Sequence, residues 1–393
     1  MSYWVSAMID ILHTMALAVF WMALALLFYV YAGYPLLLLI IASVRRRRRA
    51  ALDFVPSISV LIAAYNEAGS IAKKLEQTLA LDYPPDKIEI IVLSDGSTDG
   101  TDQIVSGFAD PRVRLLAIPG RHGKTYAQNV GAGEAKGEVL IFSDATTVYH
   151  PMALRFLAAN YADPTVGAVS GRYQYFDRDG NSPTGTGVIA FWNYENLIKR
   201  LQSRISTISG CCGCIYSVRR AAYTVLDPGI ISDLVQPLWA IQKGYRVVFE
   251  DRALAYEETT RTSQEEFKMR VRVVTRGIRG LLSVPDLLNP LRYGWVSFQL
   301  VSHKIARWLV PVFLVLLLAG SLMLANTGGY RYVLAVQLAF YLFAAITAVL
   351  PLHRLWKPLG IPLFFCTLNM AALKSMLEVL RGRTYAVWET VRS

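Results

Sequence analysis

Residues 57–67 read SISVLIAAYNE, residues 87–97 read KIEIIVLSDGS and residues 138–146 read EVLIFSDAT. Each is a short apolar run that stops at an acidic side chain, Glu67, Asp95 or Asp144. Runs of this length with no polar alternation are strands covered on both faces, as in parallel sheets. Residues 68–79, 98–109 and 125–135 between them have helix-compatible sequence, and a further strand is expected at 113–118. The alternation predicts an α/β fold, a Rossmann-like and mostly parallel sheet with helices on both faces. Ligands of such sheets bind beyond the carboxyl ends of the strands. All three acidic residues fall there.

The chemistry of that edge fits a nucleotide diphosphate. Asp95 is placed to accept hydrogen bonds from a base or ribose. Asp144 is a hard oxygen donor suited to a divalent metal, Mg2+ or Mn2+, which would bridge a diphosphate and stabilise its departure. Gly123 and Lys124, ahead of a helix, offer backbone N–H groups and an ammonium to phosphate. Each residue also has a plain structural reading, and the Asp95-Gly-Ser-Thr stretch in particular is a good helix N-cap. Convergence on one sheet edge favours the site.

The flanks of this module are apolar. No Asp, Glu, Lys, Arg or His occurs from Thr14 to Val44, and Arg45 to Arg49 follow at once. The run exceeds the ~20 residues that span a bilayer, so a tilt or a bend at Pro35 is expected. Its basic flank lies on the wrong side for a cleaved signal peptide. Five arginines held in the cytoplasm place the N-terminus outside and the following domain inside. Three more spans are expected near 308–325, 332–350 and 359–377, the last weakened by Lys374 and Glu378, which leaves the side of the C-terminus open. The expected organisation is a transmembrane helix with basic flank at 1–50, a catalytic domain at 51–262 and amphipathic interfacial helices at 263–307. A transmembrane region at 308–380 and a basic tail at 381–393 complete it. That is a multi-pass protein of the inner (plasma) membrane with a cytoplasmic domain.

Composition agrees: 54% of the 393 residues are hydrophobic and 18% charged. The net charge of +11 is concentrated in the arginine run, in residues 268–279 and in the tail. Anionic lipid headgroups are its expected partner, rather than nucleic acid. Phe267, Val271, Val274, Ile278 and Leu281 fall near one helical face with the basic residues largely elsewhere, the pattern of a helix lying in the membrane interface. Its arginines are otherwise simply solvated, or else Arg276 and Arg272 face a donor diphosphate or an anionic acceptor. Three of the four cysteines lie in residues 210–214, GCCGC, which is no disulfide framework. A zinc site there lacks a second ligand pair, so buried loop cysteines are expected.

At these residues a resemblance becomes specific. The stretch from Ile58 to about Gly280 resembles family 2 glycosyltransferases of the GT-A fold. It is most similar to the membrane-embedded branch that makes hyaluronan, chitin oligosaccharides, cellulose and poly-N-acetylglucosamine. The matching pieces are Ala64-Tyr65-Asn66-Glu67, Ser94-Asp95-Gly96-Ser97-Thr98-Asp99, Gly123-Lys124 and Ser143-Asp144-Ala145-Thr146. The Ser209 to Tyr216 loop, Ser232-Asp233 and Gly244-Tyr245-Arg246-Val247 follow. The resemblance implies that Ala63, Tyr65, Glu67, Asp95, Lys124, Asp144 and Arg276 bind the nucleotide, with Asp144 at the metal. It implies that Asp233 is the general base of an inverting displacement, and that Gly210, Cys211, Cys212, Gly213 and Arg272 lie on the acceptor side. The partners implied are a nucleotide-sugar, most simply a UDP-sugar, and a glycan or lipid-linked acceptor. Taken alone, Asp233 reads first as a capping residue at the start of residues 234–242.

Two departures bear on the product. The second carboxylate of the family's Asp-x-Asp metal motif is Thr146 here. The processive members carry Gln-x-x-Arg-Trp on an interfacial helix, with the Trp stacked on the acceptor sugar. Residues 270–277, RVRVVTRG, keep the basic character but contain no Trp. Extension of an exopolysaccharide and a single transfer to a lipid-linked acceptor both remain readings. Of other classes, a nucleotide-sensing membrane protein without catalysis conflicts with the presence of Asp95, Asp144 and Asp233 together. A transporter conflicts with the absence of a carboxylate pair from the spans.

Overall fold

The computed structural model describes residues 2–45, 50–177 and 181–385. Arg46 to Arg49 and residues 386–393 of the basic tail therefore lie outside the described residues.

Eight strands form one sheet: β1 Ile58–Ala64, β2 Ile88–Asp95, β3 Val113–Ile118, β4 Val139–Asp144, β5 Val148–Tyr149, β6 Val166–Phe176, β7 Ile215–Arg219 and β8 Arg246–Glu258. Their order is β3-β2-β1-β4-β7-β6-β8-β5. The half from β3 to β4 is parallel, which the fully buried residues of β1 require, since helices cover both of its faces. The second half is mixed: β7 runs antiparallel to β4 and β6, whereas β6 and β8 pair in parallel. Register puts Ala63 beside Leu93 and Asp144, so β1, β2 and β4 end together. The acidic residues of the sequence thus share one edge.

The apolar flanks are helical. The first segment is a helix Ser2–Phe28, a π-helical turn Tyr29–Gly33 and a helix Tyr34–Ser43. Just before Pro35, where a tilt or a bend was expected, stands this π turn, and the segment Ala7–Ser43 runs on as one span. Proline has no N–H for the preceding turn, and the Tyr194 hydroxyl reaches the carbonyls of Val30 (3.2 Å) and Tyr31 (3.1 Å) instead. Three helices among the described residues are long and apolar enough to cross a membrane: Ala7–Ser43, Tyr330–Val349 and Lys357–Leu380. Trp295–Trp308 and Val310–Met323 make a fourth if the pair, bent by 58°, is one span. These helices localise the chain to a membrane. Phe20 of the first helix lies 3.1 Å from where a Cβ on Gly320 would sit, a close approach of small-residue type.

The helix Ser263–Leu282 departs from the simple interfacial pattern. Val271, Val274 and Leu281 are buried as expected, but so are Arg270 and Arg276. The last helix, Ile361–Leu380, packs along one side, where Ser375 donates to the Val271 carbonyl (3.1 Å). On the other side Arg276 reaches the domain built on the sheet, donating to Thr125 Oγ1 (2.9 Å). Arg270 and Arg276 are therefore buried between two layers, whereas Lys268 is exposed and Arg272 and Arg279 are half-buried.

Candidate active site

The loop after β1 and the loop after β2 are bonded into one unit. The Thr98 amide donates to Asn66 Oδ1 (2.8 Å), the Asn66 amide to Ser97 Oγ (3.1 Å) and the Ala68 amide to Asp99 Oδ2 (2.9 Å). Asn66 has φ of 52°, a left-handed conformation that Asn adopts more readily than most residues. Gly96, with φ of 71°, lies against the Gly120 carbonyl so closely that a Cβ would be 2.3 Å from its oxygen. The turn admits only glycine.

That contact brings the loop after β3 to the same edge. Asp95 is buried, and both of its oxygens are used: Oδ1 accepts from the His122 amide (2.9 Å) and Oδ2 from the Gly123 amide (2.7 Å). Its carboxylate therefore organises the loop that delivers Lys124, rather than lining the open cavity. Tyr65 also lies off the cavity wall, under the Arg121 guanidinium at 4.0 Å.

A cavity of about 380 Å³ opens at this edge. Ala63, Glu67, Lys124, Asp144, Arg276, Arg272, Gly213 and Asp233, all expected from the sequence, line it. The Lys124 ammonium is bonded to Asp144 and donates to the Gly213 carbonyl (3.2 Å), which ties the end of β4 to the glycine-cysteine loop. Burial opposes the charge on Lys124, but the Asp144 carboxylate outweighs it and raises its pKa. Arg276 donates to the Ile230 carbonyl (2.5 Å) as well as to Thr125, so it fixes the turn that leads into the helix Ser232–Gln242. Burial lowers its pKa to about 10.

Asp233 stands in the first turn of that helix. Among the described residues its carboxylate has no hydrogen-bond or ion-pair partner. Burial raises its pKa, while Lys124, Lys199, Arg276 and Lys304 pull the other way. A desolvated, unpartnered carboxylate beside cations has the environment of a general base.

Asp233 also lines a second chamber of about 170 Å³ that shares Ile231, Asp233 and Val273 with the first. Gly210 and Cys211 belong to this second chamber. Cys212 lies outside both, buried with its sulfur 3.1 Å from Lys199 Nζ, and the four cysteines are free. Sequence reasoning missed Glu257 and Glu258 at the end of β8, which line the first cavity, and Lys199, Lys304 and Trp308, which line the second. Lys304, set in the largely apolar stretch 295–310, was the available signal for the second chamber.

Among the described residues no group of three His, Cys, Asp or Glu could hold a metal on its own. Asp144 supplies one carboxylate, of which Lys124 occupies a single oxygen. One free carboxylate oxygen in a cavity fits a divalent ion completed by substrate phosphates and water, the usual manner for Mg2+.

Residues 59–226 match the family model described as Glycosyl transferase family 2. The poly-beta-1,6-N-acetyl-D-glucosamine synthase of Staphylococcus epidermidis is 27% identical over 303 residues, covering 75% of this chain and 71% of that protein. The enzyme of the same name from Staphylococcus aureus is 26% identical over 277 residues, 68% of this chain, and the chain spans 65% of its length. A mannosyltransferase from Pyrobaculum calidifontis, solved with GDP-Man and Mn2+, superposes with a TM-score of 0.70 at 21% identity, over 93% of this chain and 99% of that one. The fold, the family match and these relatives agree on one point: residues 59–226 carry a family 2 glycosyltransferase domain, and the fold around it is GT-A-like.

Proposed function

We propose that this chain transfers a sugar from a nucleotide diphosphate donor, a UDP-sugar in the simplest case, to a hydroxyl of a membrane-associated glycan in cell-surface or exopolysaccharide synthesis. The observation that carries the reading is the position of Asp233, alone among the described carboxylates in lining both chambers. The donor lies in the larger cavity, with its diphosphate against Lys124 and Arg276. The acceptor hydroxyl approaches from the smaller one. Asp233 takes the hydroxyl proton as the oxygen bonds to the anomeric carbon. The bond from that carbon to the phosphate oxygen breaks, and its electron pair leaves with the nucleoside diphosphate. Single displacement inverts the configuration and needs no enzyme nucleophile.

Asp144, with the donor's phosphates, would hold a divalent ion, Mg2+ or Mn2+, and such an ion stabilises charge on a departing diphosphate. Arg45 and its neighbours in sequence favour a cytoplasmic catalytic domain with the N-terminus outside the inner membrane, where nucleotide-sugars meet the membrane. The similarity to poly-beta-1,6-N-acetyl-D-glucosamine synthases supports a polymeric cell-surface product.

The deciding experiment gives purified full-length chain a panel of radiolabelled UDP- and GDP-sugars with Mn2+. The expected result is donor turnover by the wild type that Asp233→Asn lowers by about three orders of magnitude, the scale of a positioned general base, while nucleotide still binds. Turnover unaffected by Asp233→Asn removes the assigned mechanism, and absence of turnover with every donor removes the function.

A further inference from the structure

The chamber behind Asp233 has a composition that the displacement alone does not require. Its wall on the membrane side comes from the segment Trp295–Trp308, which carries a π-helical turn at Val301–Ile305 and ends at the 58° break before Val310. Such turns interrupt regular helix at a cost and are frequent at functional sites. Here the turn and the break bring Lys304, Arg307 and Trp308 together onto one cavity.

The charges there do not balance. Glu195 is bonded through Oε1 to Arg307 and to His303 Nε2 (3.1 Å). Lys199 has a cysteine sulfur for its close polar neighbour. Lys304 Nζ has no hydrogen-bond or ion-pair partner among the described residues, and stands 3.7 Å from where a Cβ on Gly210 would sit. Besides Glu195, Asp233 is the carboxylate that lines this chamber, so two ammonium groups removed from water share one carboxylate between them, a deficit that an anion would make good.

The chamber also has an aromatic face. The Trp308 ring lies 3.3 Å from the position of a Cβ on Gly277, so glycine on the helix Ser263–Leu282 makes room for it. An indole in a cavity wall offers a broad flat surface for a ring-shaped ligand.

We propose that this chamber is the acceptor subsite, where the acceptor sugar stacks on Trp308 and an anionic group next to that sugar pairs with Lys304 and Lys199. The inference rests on the glycosyltransfer reading and adds the acceptor's class: a saccharide bearing a phosphate or carboxylate. It also accounts for the absence of tryptophan from residues 270–277, because the platform comes from a different helix.

The test is calorimetric titration of detergent-solubilised full-length chain, saturated with UDP and Mn2+ so that the donor cavity is filled. The probes are chitotetraose, chitotetraose 1-phosphate, chitotetraose phosphodiester-linked to farnesol, and a hyaluronan tetrasaccharide bearing glucuronate. An anionic probe is expected to bind at least about tenfold tighter than chitotetraose, a difference well within one compensated charge. Lys304→Gln should bring that ratio close to one and Lys304→Arg should restore it. Trp308→Ala should weaken every saccharide, with Trp308→Phe recovering most of the loss. Tighter binding of the farnesyl probe than of the free phosphate identifies a lipid headgroup as the source of the anion, and preference for glucuronate identifies an acidic glycan. Equal affinity for neutral and anionic probes, no binding of the anionic ones, or a ratio untouched by Lys304→Gln overturns the proposal. These are binding measurements made without donor sugar, so they are read independently of wild-type donor turnover, which tests the glycosyltransfer reading.

Discussion

The Asp233 carboxylate comes within 2.8 Å of the place where a Cβ on Gly213 would stand. The glycine is therefore needed for the base to occupy its position, although its backbone conformation is one that any residue adopts. Lys124 donates to the carbonyl of the same residue (3.2 Å), so one loop position sets the distance between the Lys124 ammonium and the proposed base.

Gly213→Ala should displace Asp233 without unfolding the sheet. A shift of about 1 Å in a reacting group commonly costs on the order of a hundredfold in rate. We expect kcat to fall by about that factor, with donor KM changed much less and the thermal midpoint nearly retained. An unchanged kcat would mean that Asp233 does not act from this position.

The pH profile follows from the same carboxylate. Asp233 accepts a proton only when ionised, so kcat/KM must fall as pH drops through its pKa. Burial places that pKa above the ordinary aspartate value, and Lys124 counteracts the rise. The acid limb should therefore be centred above about 3.9, the ordinary aspartate value. Replacing Lys124 with Met removes a cation that favours the charged form, so the limb of the residual activity should move to higher pH. A limb that moves lower, or stays in place, would show that another group is the base.

The edge holding Glu67, Asp95 and Asp144 was legible because strand ends follow from local pattern, and a parallel sheet gathers its carboxyl ends. β1, β2 and β4 fall within three residues of the runs that announced them. The mixed half of the sheet was less legible. Its β6–β8 pairing joins segments about 80 residues apart with two register shifts, and no local signal encodes that. The second chamber was hidden for a similar reason. Lys199 and Lys304 sit on helices far apart in sequence, and only packing puts them beside Asp233. For Asp95 the position was right and the immediate partner differs: in the folded chain its oxygens meet backbone amides of the loop before Lys124.

That geometry makes Asp95 a positioning residue for the donor site. Its two bonds hold His122 and Gly123, and Gly123 itself has φ of 98° at the start of the helix Lys124–Glu134. Asp95→Ala leaves two amides without an acceptor, and an unmet buried hydrogen bond costs about 1–3 kcal/mol. Part of that cost appears as lost stability, and the rest as a loop that no longer presents Lys124 to a diphosphate. We expect donor KM to rise by about tenfold or more, while the pH midpoint set by Asp233 stays near its wild-type value. Nucleotide affinity measured by titration should fall in parallel with the KM change. Asp95→Asn is the informative companion, because its amide oxygen still accepts one bond while its NH2 group opposes the second N–H. An intermediate loss for Asn and a larger one for Ala supports the loop-holding role. Equal and complete loss in both, with the thermal midpoint unchanged, would instead assign the carboxylate to direct contact with the nucleotide.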